Sequence, residues 1–343
     1  MNPTIINIVS GKGGTGKTLL ACVLADMLGN APDAKTIVVD LDIFVRGLTS
    51  LLYFHREEKL HIVEKHKLTV SDFFVEKIRY PNKDLGIVKY RSFDVLPAVH
   101  RIDQKLDYQD LAPNTRHEAK VILSALLSCL ADDYRYIILD SRAGYDELIA
   151  ATHEISTISI CVEEQDQISK VTSDNLISQL DEQSTPTFRL INKARGVKSP
   201  NDIDFSARSV TDIGAIPFDM DILNNFGTSG FWDVTGRSLY RWALANAWNT
   251  LNSKLQFGTR LSLPRLSPIM SEAVESRIGF LTLKDRVFFV YGLVLAMFGA
   301  GYSLVGSDFL TIFKDDPLRV GASIMGIVGF SMAVTVLIRR PKR

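Results

Sequence analysis

The chain has 343 residues, of which 46% are hydrophobic and 23% are charged, and this composition is typical of folded proteins. Its 39 Lys and Arg residues balance 39 Asp and Glu residues, so the formal net charge of zero argues against non-specific nucleic-acid binding. Three scattered cysteines, Cys22, Cys129 and Cys161, exclude a disulfide framework or a thiolate metal cage and predict buried thiols.

Strand and helix patterns alternate along the first three quarters of the chain. In chain order they predict a strand at Thr4–Val9, a helix at Thr18–Leu28, a strand at Thr36–Leu41 and a helix at His117–Leu130. Strands follow at Arg135–Asp140, Ile155–Val162, Thr187–Asn192 and Ile213–Pro217, with a helical stretch before the third of these and a final helix at Ser238–Leu255. This alternation predicts an α/β fold with a doubly wound, mainly parallel sheet. The charge-rich segment 55–109 mixes short patterns, and its role is not predicted.

A glycine-rich loop joins the first predicted strand to the first predicted helix. Residues 11–18 fit the pattern GxxxxGK[ST] in full. Glycines let backbone N–H groups turn inward around phosphates, and the helix N-terminus adds positive potential. The loop therefore predicts a nucleotide-phosphate site, in which Lys17 contacts the β- and γ-phosphates and the Thr18 hydroxyl ligates Mg²⁺. The residues of this site are Gly11, Lys12, Gly13, Gly14, Thr15, Gly16, Lys17 and Thr18.

A second lysine, Lys12, stands early in the loop. The sequence KGGTGKT of residues 12–18 resembles the deviant Walker A motif of the MinD/ParA family of P-loop ATPases. The resemblance covers residues 4 to 255 and implies an ATP hydrolase that uses ATP and Mg²⁺ and forms an ATP-dependent homodimer around the nucleotide. It also implies that Lys12 contacts the nucleotide of the partner subunit, so that two cations neutralise charge in the transition state.

Aspartates at predicted strand ends match further positions of that family. Asp42 matches the residue that activates the attacking water, and Asp40 matches a residue of the magnesium and phosphate network. Asp140 ends the apolar run IILD and matches the Walker B aspartate, which holds Mg²⁺. The next residues, SRAG, resemble the family's switch II, but Arg142 stands where the family has proline.

Two positions near the end of the sheet match the family's base-binding elements. Asn192 matches an asparagine that contacts adenine, since a side-chain amide can donate to and accept from a base edge. Pro217 lies in the sequence IPFD, which resembles an IPxD segment whose backbone lies near the base. The resemblance therefore assigns both residues to nucleotide binding.

Two uncharged apolar runs, 287–307 and 320–338, follow the α/β pattern. Their 21 and 19 residues match the roughly 20 that a helix needs to span a bilayer. Basic residues precede the first run and follow the second, whereas acidic residues balance the two basic ones between them. The positive-inside rule then predicts a hairpin in the cytoplasmic (inner) membrane with both termini in the cytoplasm.

The sequence thus predicts an ATPase domain at 1–257, a linker at 258–284 and a transmembrane hairpin at 285–343. From Asp285 onward there are seven basic and four acidic residues, which leaves 32 basic and 35 acidic residues before it. The acidic ATPase domain disfavours nucleic acid as a partner, and the basic hairpin suits anionic lipids.

The leading hypothesis is a membrane-anchored ATPase switch that recruits, positions or regulates a protein partner at the cytoplasmic face. The alternatives are an ATP-binding scaffold with little turnover, which Arg142 keeps open, and a DNA-partition ATPase. A tyrosine autokinase is disfavoured because the C-terminal residues 339–343 contain no tyrosine. A reductase of the nitrogenase-iron-protein type is disfavoured because Cys129 and Cys161 lie outside the matching positions.

Overall fold

The computed structural model describes residues 2–55, 63–64, 66–81, 84–107, 111–180, 185–194 and 210–264. The chain divides into two units, Met1–Ser267 and Pro268–Arg343, and every described residue lies in the first. Within the described ranges, no helix combines the length and apolar character needed to cross a membrane. The predicted spans 287–307 and 320–338 lie outside the described residues.

Eight strands and nine helices occur among the described residues. The strands are β1 Thr4–Ser10, β2 Thr36–Asp40, β3 Val88–Tyr90, β4 Phe93–Leu96, β5 Tyr136–Ala143, β6 Ile158–Glu164, β7 Thr187–Ala194 and β8 Thr211–Pro217. The helices are α1 Lys17–Gly29, α2 Gly47–His55, α3 Val70–Val75, α4 Arg116–Leu130, α5 Glu147–Ile155, α6 Gln167–Leu180, α7 Met220–Asn225, α8 Phe231–Gly236 and α9 Leu239–Leu255.

The strands form one sheet in the order β3-β4-β2-β5-β1-β6-β7-β8. Neighbouring strands are parallel except β3 and β4, which form an antiparallel hairpin at one edge. The predicted mainly parallel α/β sheet is confirmed. Because β1 runs parallel to both of its neighbours, β5 and β6, the segments that follow these three strands leave the same edge of the sheet. Ligands of doubly wound proteins bind at that edge.

The core lies on both faces of the sheet. Alternate residues of β2 point to opposite layers: Ile37 and Val39 belong to the cluster that contains α4, and Val38 belongs to the cluster that contains α1 and α9. Burial on both faces explains why the strands are continuous apolar runs rather than alternating ones. The three cysteines are free and buried, as predicted.

The strand that the sequence predicts at Ile155–Val162 begins three residues later in the structure. The pattern predicts a strand from Ile155, but Ile155 ends α5 and β6 begins at Ile158. Hydrogen bonds at the end of α5 keep Ile155 helical, since the Ser156 N–H donates to the His153 carbonyl at 3.2 Å and Ser156 Oγ donates to the Thr152 carbonyl at 2.6 Å. In the unassigned segment 55–109, the described residues contain α3, β3 and β4.

The residues that follow α9 pack on the same domain. Trp248 Nε1 donates a 2.9 Å hydrogen bond to the Thr259 carbonyl, and the backbone N–H of Leu261 donates to Asn249 Oδ1 at 2.8 Å. Leu261 is buried. The segment that the sequence assigns to a linker from residue 258 therefore begins as part of the folded unit.

Candidate functional site

The glycine-rich loop turns between β1 and α1 at the centre of the sheet. Gly14 and Gly16 have φ angles of 78° and 90°, a conformation that residues with a side chain rarely adopt. A Cβ atom on Gly16 would lie 2.4 Å from Asn192 Nδ2, and one on Gly11 would lie 2.3 Å from the Thr172 carbonyl of α6. Backbone conformation or close packing thus requires glycine at three positions of the loop.

Gly11→Ala is expected to destabilise the protein by about 1–3 kcal/mol, because the new Cβ presses on the backbone of α6 rather than on a flexible side chain. Gly13→Ala is the matched control, since a Cβ there meets nothing within 4 Å. Denaturant unfolding of both variants measures the difference. Equal free energies of unfolding would show that the contact with Thr172 does not constrain the loop.

A cavity of about 680 Å³ opens beside the loop. Lys17 and Thr18 line it together with Asp42, Arg142 and Lys193, and its volume suits a nucleotide-sized ligand. Lys17 is buried, and its Nζ donates a 2.9 Å hydrogen bond to Ser10 Oγ at the end of β1. Burial lowers the pKa of Lys17, and the charges of Asp140 and Asp42 oppose this shift. The structure therefore brings Lys17, Thr18 and Asp42 to one cavity.

Asp140 is buried within β5, three residues before the strand ends, and neither of its carboxylate oxygens accepts a well-formed hydrogen bond. Burial raises the pKa of Asp140 to about 7, against the opposing effects of the Thr18 hydroxyl and the Lys17 ammonium. In the described part of the chain, no three His, Cys, Asp or Glu side chains group into a metal site. Mg²⁺ commonly takes only one or two carboxylates beside water and substrate phosphates. Thr18 and Asp140 fit such an ion.

We expect Asp140→Asn to raise the free energy of unfolding of the nucleotide-free protein by about 1–3 kcal/mol at pH 8. The folded-state pKa of about 7 lies above the ordinary value of 3.8, so stability falls as the pH rises between these values. Asparagine carries no charge, and the advantage of the variant is therefore larger at pH 8 than at pH 5. Denaturant unfolding in EDTA at both pH values tests this, and an advantage that does not grow with pH would contradict it.

Asp40 is buried at the end of β2, and both of its carboxylate oxygens accept hydrogen bonds. Its Oδ2 accepts from the Thr49 backbone N–H at 2.8 Å and from Thr49 Oγ1 at 2.6 Å, and its Oδ1 accepts from the Asp42 N–H at 3.2 Å. Burial and the nearby Asp140 raise the pKa of Asp40 to about 8. Asp40 thus fixes the turn that carries Asp42, and its role in a magnesium network stays a prediction.

Asp42 begins the turn that follows β2. Its Oδ1 accepts a 3.3 Å hydrogen bond from the Val45 N–H, and its carbonyl accepts one of 2.7 Å from the Arg46 N–H. Phe44 and Val45 extend from this turn with 38% and 73% of their surface exposed, and both line the cavity. The Asp42 side chain also lines the cavity, a position compatible with its predicted role of activating water.

Lys12 does not line the cavity. Its Nζ lies 2.7 Å from Glu164 Oε2 and 2.9 Å from Asp166 Oδ2, at the end of β6 and just beyond it. Hydrogen bonds to Glu164 and Asp166 raise the pKa of Lys12. Within the single chain this lysine is held by acidic residues. Its predicted contact with the nucleotide of a partner subunit requires it to leave them.

Asn192 holds the glycine-rich loop from β7. The side chain is 1% exposed, and its Nδ2 donates a 2.7 Å hydrogen bond to the Thr15 carbonyl. Its Oδ1 is buried and unpartnered.

The next residue, Lys193, donates to the Gly14 carbonyl at 2.6 Å, pairs with Glu164 and lines the cavity. The sequence analysis did not assign Lys193 to the site. Its position at the carboxyl end of a predicted parallel strand could have indicated it, because ligands bind at that edge of such sheets.

Pro217 ends β8 and is buried outside the cavity wall. Two residues later, Asp219 caps α7 by accepting a 3.1 Å hydrogen bond from the Ile222 N–H. This cap starts the helix that brings Leu223 to the cavity, with Phe226 directly after it. The apolar side of the cavity therefore comes from the segment after Pro217, and a contact of Pro217 with a base stays a prediction.

The sheet order, the loop geometry and the cavity define a P-loop protein with a doubly wound sheet. Residues 3–182, just over half of the chain, match the AAA domain family, and the chain belongs to this family. It is also 28% identical over 193 residues to an uncharacterized ATP-binding protein of Methanocaldococcus jannaschii. That similarity covers 54% of this chain and 63% of the relative, so the chain matches less than two thirds of the relative's length.

Two solved structures share the fold. The septum site-determining protein MinD of Pyrococcus horikoshii, complexed with Mg-ADP, aligns with a TM-score of 0.55 and 19% identity over 76% of this chain and 100% of that chain. A putative plasmid partition protein of Borrelia burgdorferi, bound to AMPPNP, aligns with a TM-score of 0.53 and 17% identity over 74% of this chain and 99% of that chain. The chain has the fold of MinD/ParA-type P-loop ATPases.

Proposed function

We propose that this protein is a membrane-anchored ATPase switch, in which ATP binding joins two ATPase domains and hydrolysis releases them. The observation that carries the proposal is the complete P-loop, whose Lys17 and Thr18 line one cavity with Asp42. The ATP-binding relative and the nucleotide complexes of the two similar structures support ATP as the ligand.

In this proposal the chain binds and orients the triphosphate. The N–H groups of the loop and the start of α1 bind phosphate oxygens, and Lys17 donates to the β- and γ-phosphates. Thr18 and Asp140 would hold Mg²⁺, which neutralises negative charge on the phosphates when bound. Asp42 orients the attacking water and accepts its proton. Lys12 leaves Glu164 and Asp166 to contact the nucleotide of the second subunit.

The membrane anchor in this proposal consists of the apolar runs 287–307 and 320–338. Two spans cannot leave the bilayer between catalytic cycles, unlike a single amphipathic helix. The nucleotide would therefore control dimerisation, or recruitment of a protein partner at the cytoplasmic face, rather than membrane attachment. The basic residues at both ends of the hairpin support this orientation.

We expect the full chain to stay in the membrane fraction after extraction with alkaline carbonate. The double variant Leu295→Arg, Val328→Arg should be released from the membrane fraction or fail to accumulate in it. The reason is that each arginine at the centre of a span costs about 2.5–3.5 kcal/mol of insertion free energy. Leu263→Arg is the matched control, since Leu263 lies before both runs and is 46% exposed. Release of the wild-type chain by carbonate would exclude the transmembrane hairpin.

An ATP-binding scaffold with little turnover is the second candidate, and it stays open because Arg142 stands where the family has proline in switch II. Steady-state phosphate release separates the two candidates, because a scaffold would turn over no faster than its own Asp42→Asn variant.

The fold itself does not choose between cellular roles, since it is shared by a septum site-determining protein and a plasmid partition protein. Salt-dependent DNA binding by the full chain would favour a DNA-partition ATPase instead.

A further inference from the structure

Arg142 lies between two cavities. It belongs to β5, two residues after Asp140, and lines the 680 Å³ cavity that Lys17 and Thr18 also line. It lines a second cavity of about 150 Å³ as well, which the start of α5 borders. There the Arg142 Nη1 lies 3.2 Å from Asp146 Oδ2. A change of side-chain rotamer can therefore move the guanidinium from one cavity toward the other without moving the strand.

The charges around the larger cavity favour such a movement when a triphosphate is bound. Among the residues that the structure describes, the cations that line this cavity are Lys17, Arg142 and Lys193. Lys193 is held by Glu164 and by the loop carbonyl of Gly14. A nucleoside triphosphate adds several negative charges beside Arg142, and guanidinium groups bind phosphate through short, paired, charge-assisted hydrogen bonds.

Asp146 can release the guanidinium without becoming unsatisfied. Its other carboxylate oxygen accepts the 2.8 Å hydrogen bond that caps α5, and the N-terminus of that helix favours a negative charge. The ion pair itself is partly exposed, with 27% of the Arg142 side chain and 24% of the Asp146 side chain accessible. Pairs of this kind contribute little to stability. The ion pair with Asp146 is therefore a weak competitor for the binding of Arg142 to a phosphate.

We propose that Arg142 is a phosphate-sensing residue that leaves Asp146 and contacts the terminal phosphate of bound ATP. This inference rests on the proposed function and deepens it. In the ADP-bound chain the terminal phosphate is missing, and the guanidinium returns to Asp146. The chain thereby supplies, from its own switch II segment, a cation that stabilises charge on the transferred phosphoryl group.

The test compares AMPPNP and ADP binding to the purified full chain by calorimetry in Mg²⁺. We expect the wild-type chain to prefer AMPPNP, and Arg142→Ala to lower AMPPNP affinity about tenfold while ADP affinity changes less than about twofold. Arg142→Lys should restore part of the preference. Asp146→Asn keeps a good helix cap but weakens the ion pair, and it should raise AMPPNP affinity. Arg101→Ala is the control, because Arg101 pairs with Asp103 and lines neither cavity.

A selective loss of AMPPNP affinity in Arg142→Ala supports the inference. Equal losses for both nucleotides, or no change for either, would overturn it and leave Arg142 as a structural partner of Asp146. A wild-type chain that does not prefer AMPPNP would also overturn it. If the wild-type chain binds neither nucleotide, the proposed function itself fails. That result is distinguishable from the outcomes above, in which the chain binds nucleotide and only the role of Arg142 is overturned.

Discussion

Lys17→Ala is expected to lower the affinity for Mg-ATP by about 100-fold or more and to remove measurable turnover. Lys17 is a buried ammonium that lines the cavity and donates to Ser10 Oγ in the nucleotide-free chain. Its removal leaves the phosphates without their main cation in a site of low dielectric. Calorimetric titration with AMPPNP and a phosphate-release assay measure the two effects.

Lys12→Ala is the matched comparison within the same loop. Lys12 lies outside the cavity and pairs with Glu164 and Asp166. Its loss should therefore leave nucleotide affinity of the isolated subunit nearly unchanged while it reduces turnover by the dimer. Equal affinity losses in the two variants would show that Lys12 binds nucleotide in its own subunit and would contradict the contact across a dimer.

Asp42→Asn is expected to reduce turnover by about 10²–10⁴-fold and to leave the affinity for ATP within about twofold of wild type. The amide keeps the shape of the carboxylate and can still accept the weak 3.3 Å hydrogen bond from the Val45 N–H. It cannot accept a proton from water as a carboxylate does. Phosphate release and AMPPNP titration separate the catalytic loss from a binding loss.

The control for this variant is Asp33→Asn, an exposed carboxylate on the segment between α1 and β2. It should leave both turnover and affinity at wild-type values. If Asp42→Asn also turns over like wild type, Asp42 is not the water-activating residue. If wild type and variant are both at background, the ATP-binding scaffold becomes the better account.

The strand, loop and helix around the phosphate site were predictable to within one residue. The sequence predicts a strand to Val9 and a helix from Thr18, and the structure has β1 to Ser10 and α1 from Lys17. This accuracy has a local cause, because the positive φ angles of Gly14 and Gly16 come from their missing side chains. Residue spacing alone therefore determines this part of the site.

Contacts between distant segments were not predictable. Lys12 pairs with Asp166, 154 residues away in the chain, and this pair removes Lys12 from the cavity in the single subunit. Asn192 donates to the Thr15 carbonyl across 177 residues. Both contacts depend on which strands neighbour β1, and the sequence pattern does not contain the strand order.

The hydrogen bonds of buried carboxylates were also not predictable. The family resemblance places Asp40 in the magnesium network, and the structure shows in addition that its carboxylate oxygens accept hydrogen bonds from Thr49 and Asp42. A spacing argument cannot show that a buried carboxylate already has partners. Asp140, in contrast, has two buried carboxylate oxygens that accept no well-formed hydrogen bond, and its charge interacts with the Thr18 hydroxyl and the Lys17 ammonium.

The central claim is that ATP joins two copies of this chain. The most direct measurement is the oligomeric state of the purified full-length Asp42→Asn variant in detergent, determined by sedimentation velocity with Mg-ATP and with Mg-ADP. We predict a dimer with ATP and a monomer with ADP, and we expect Lys17→Ala to stay monomeric with both. A variant that binds ATP but sediments as a monomer in its presence would contradict the account.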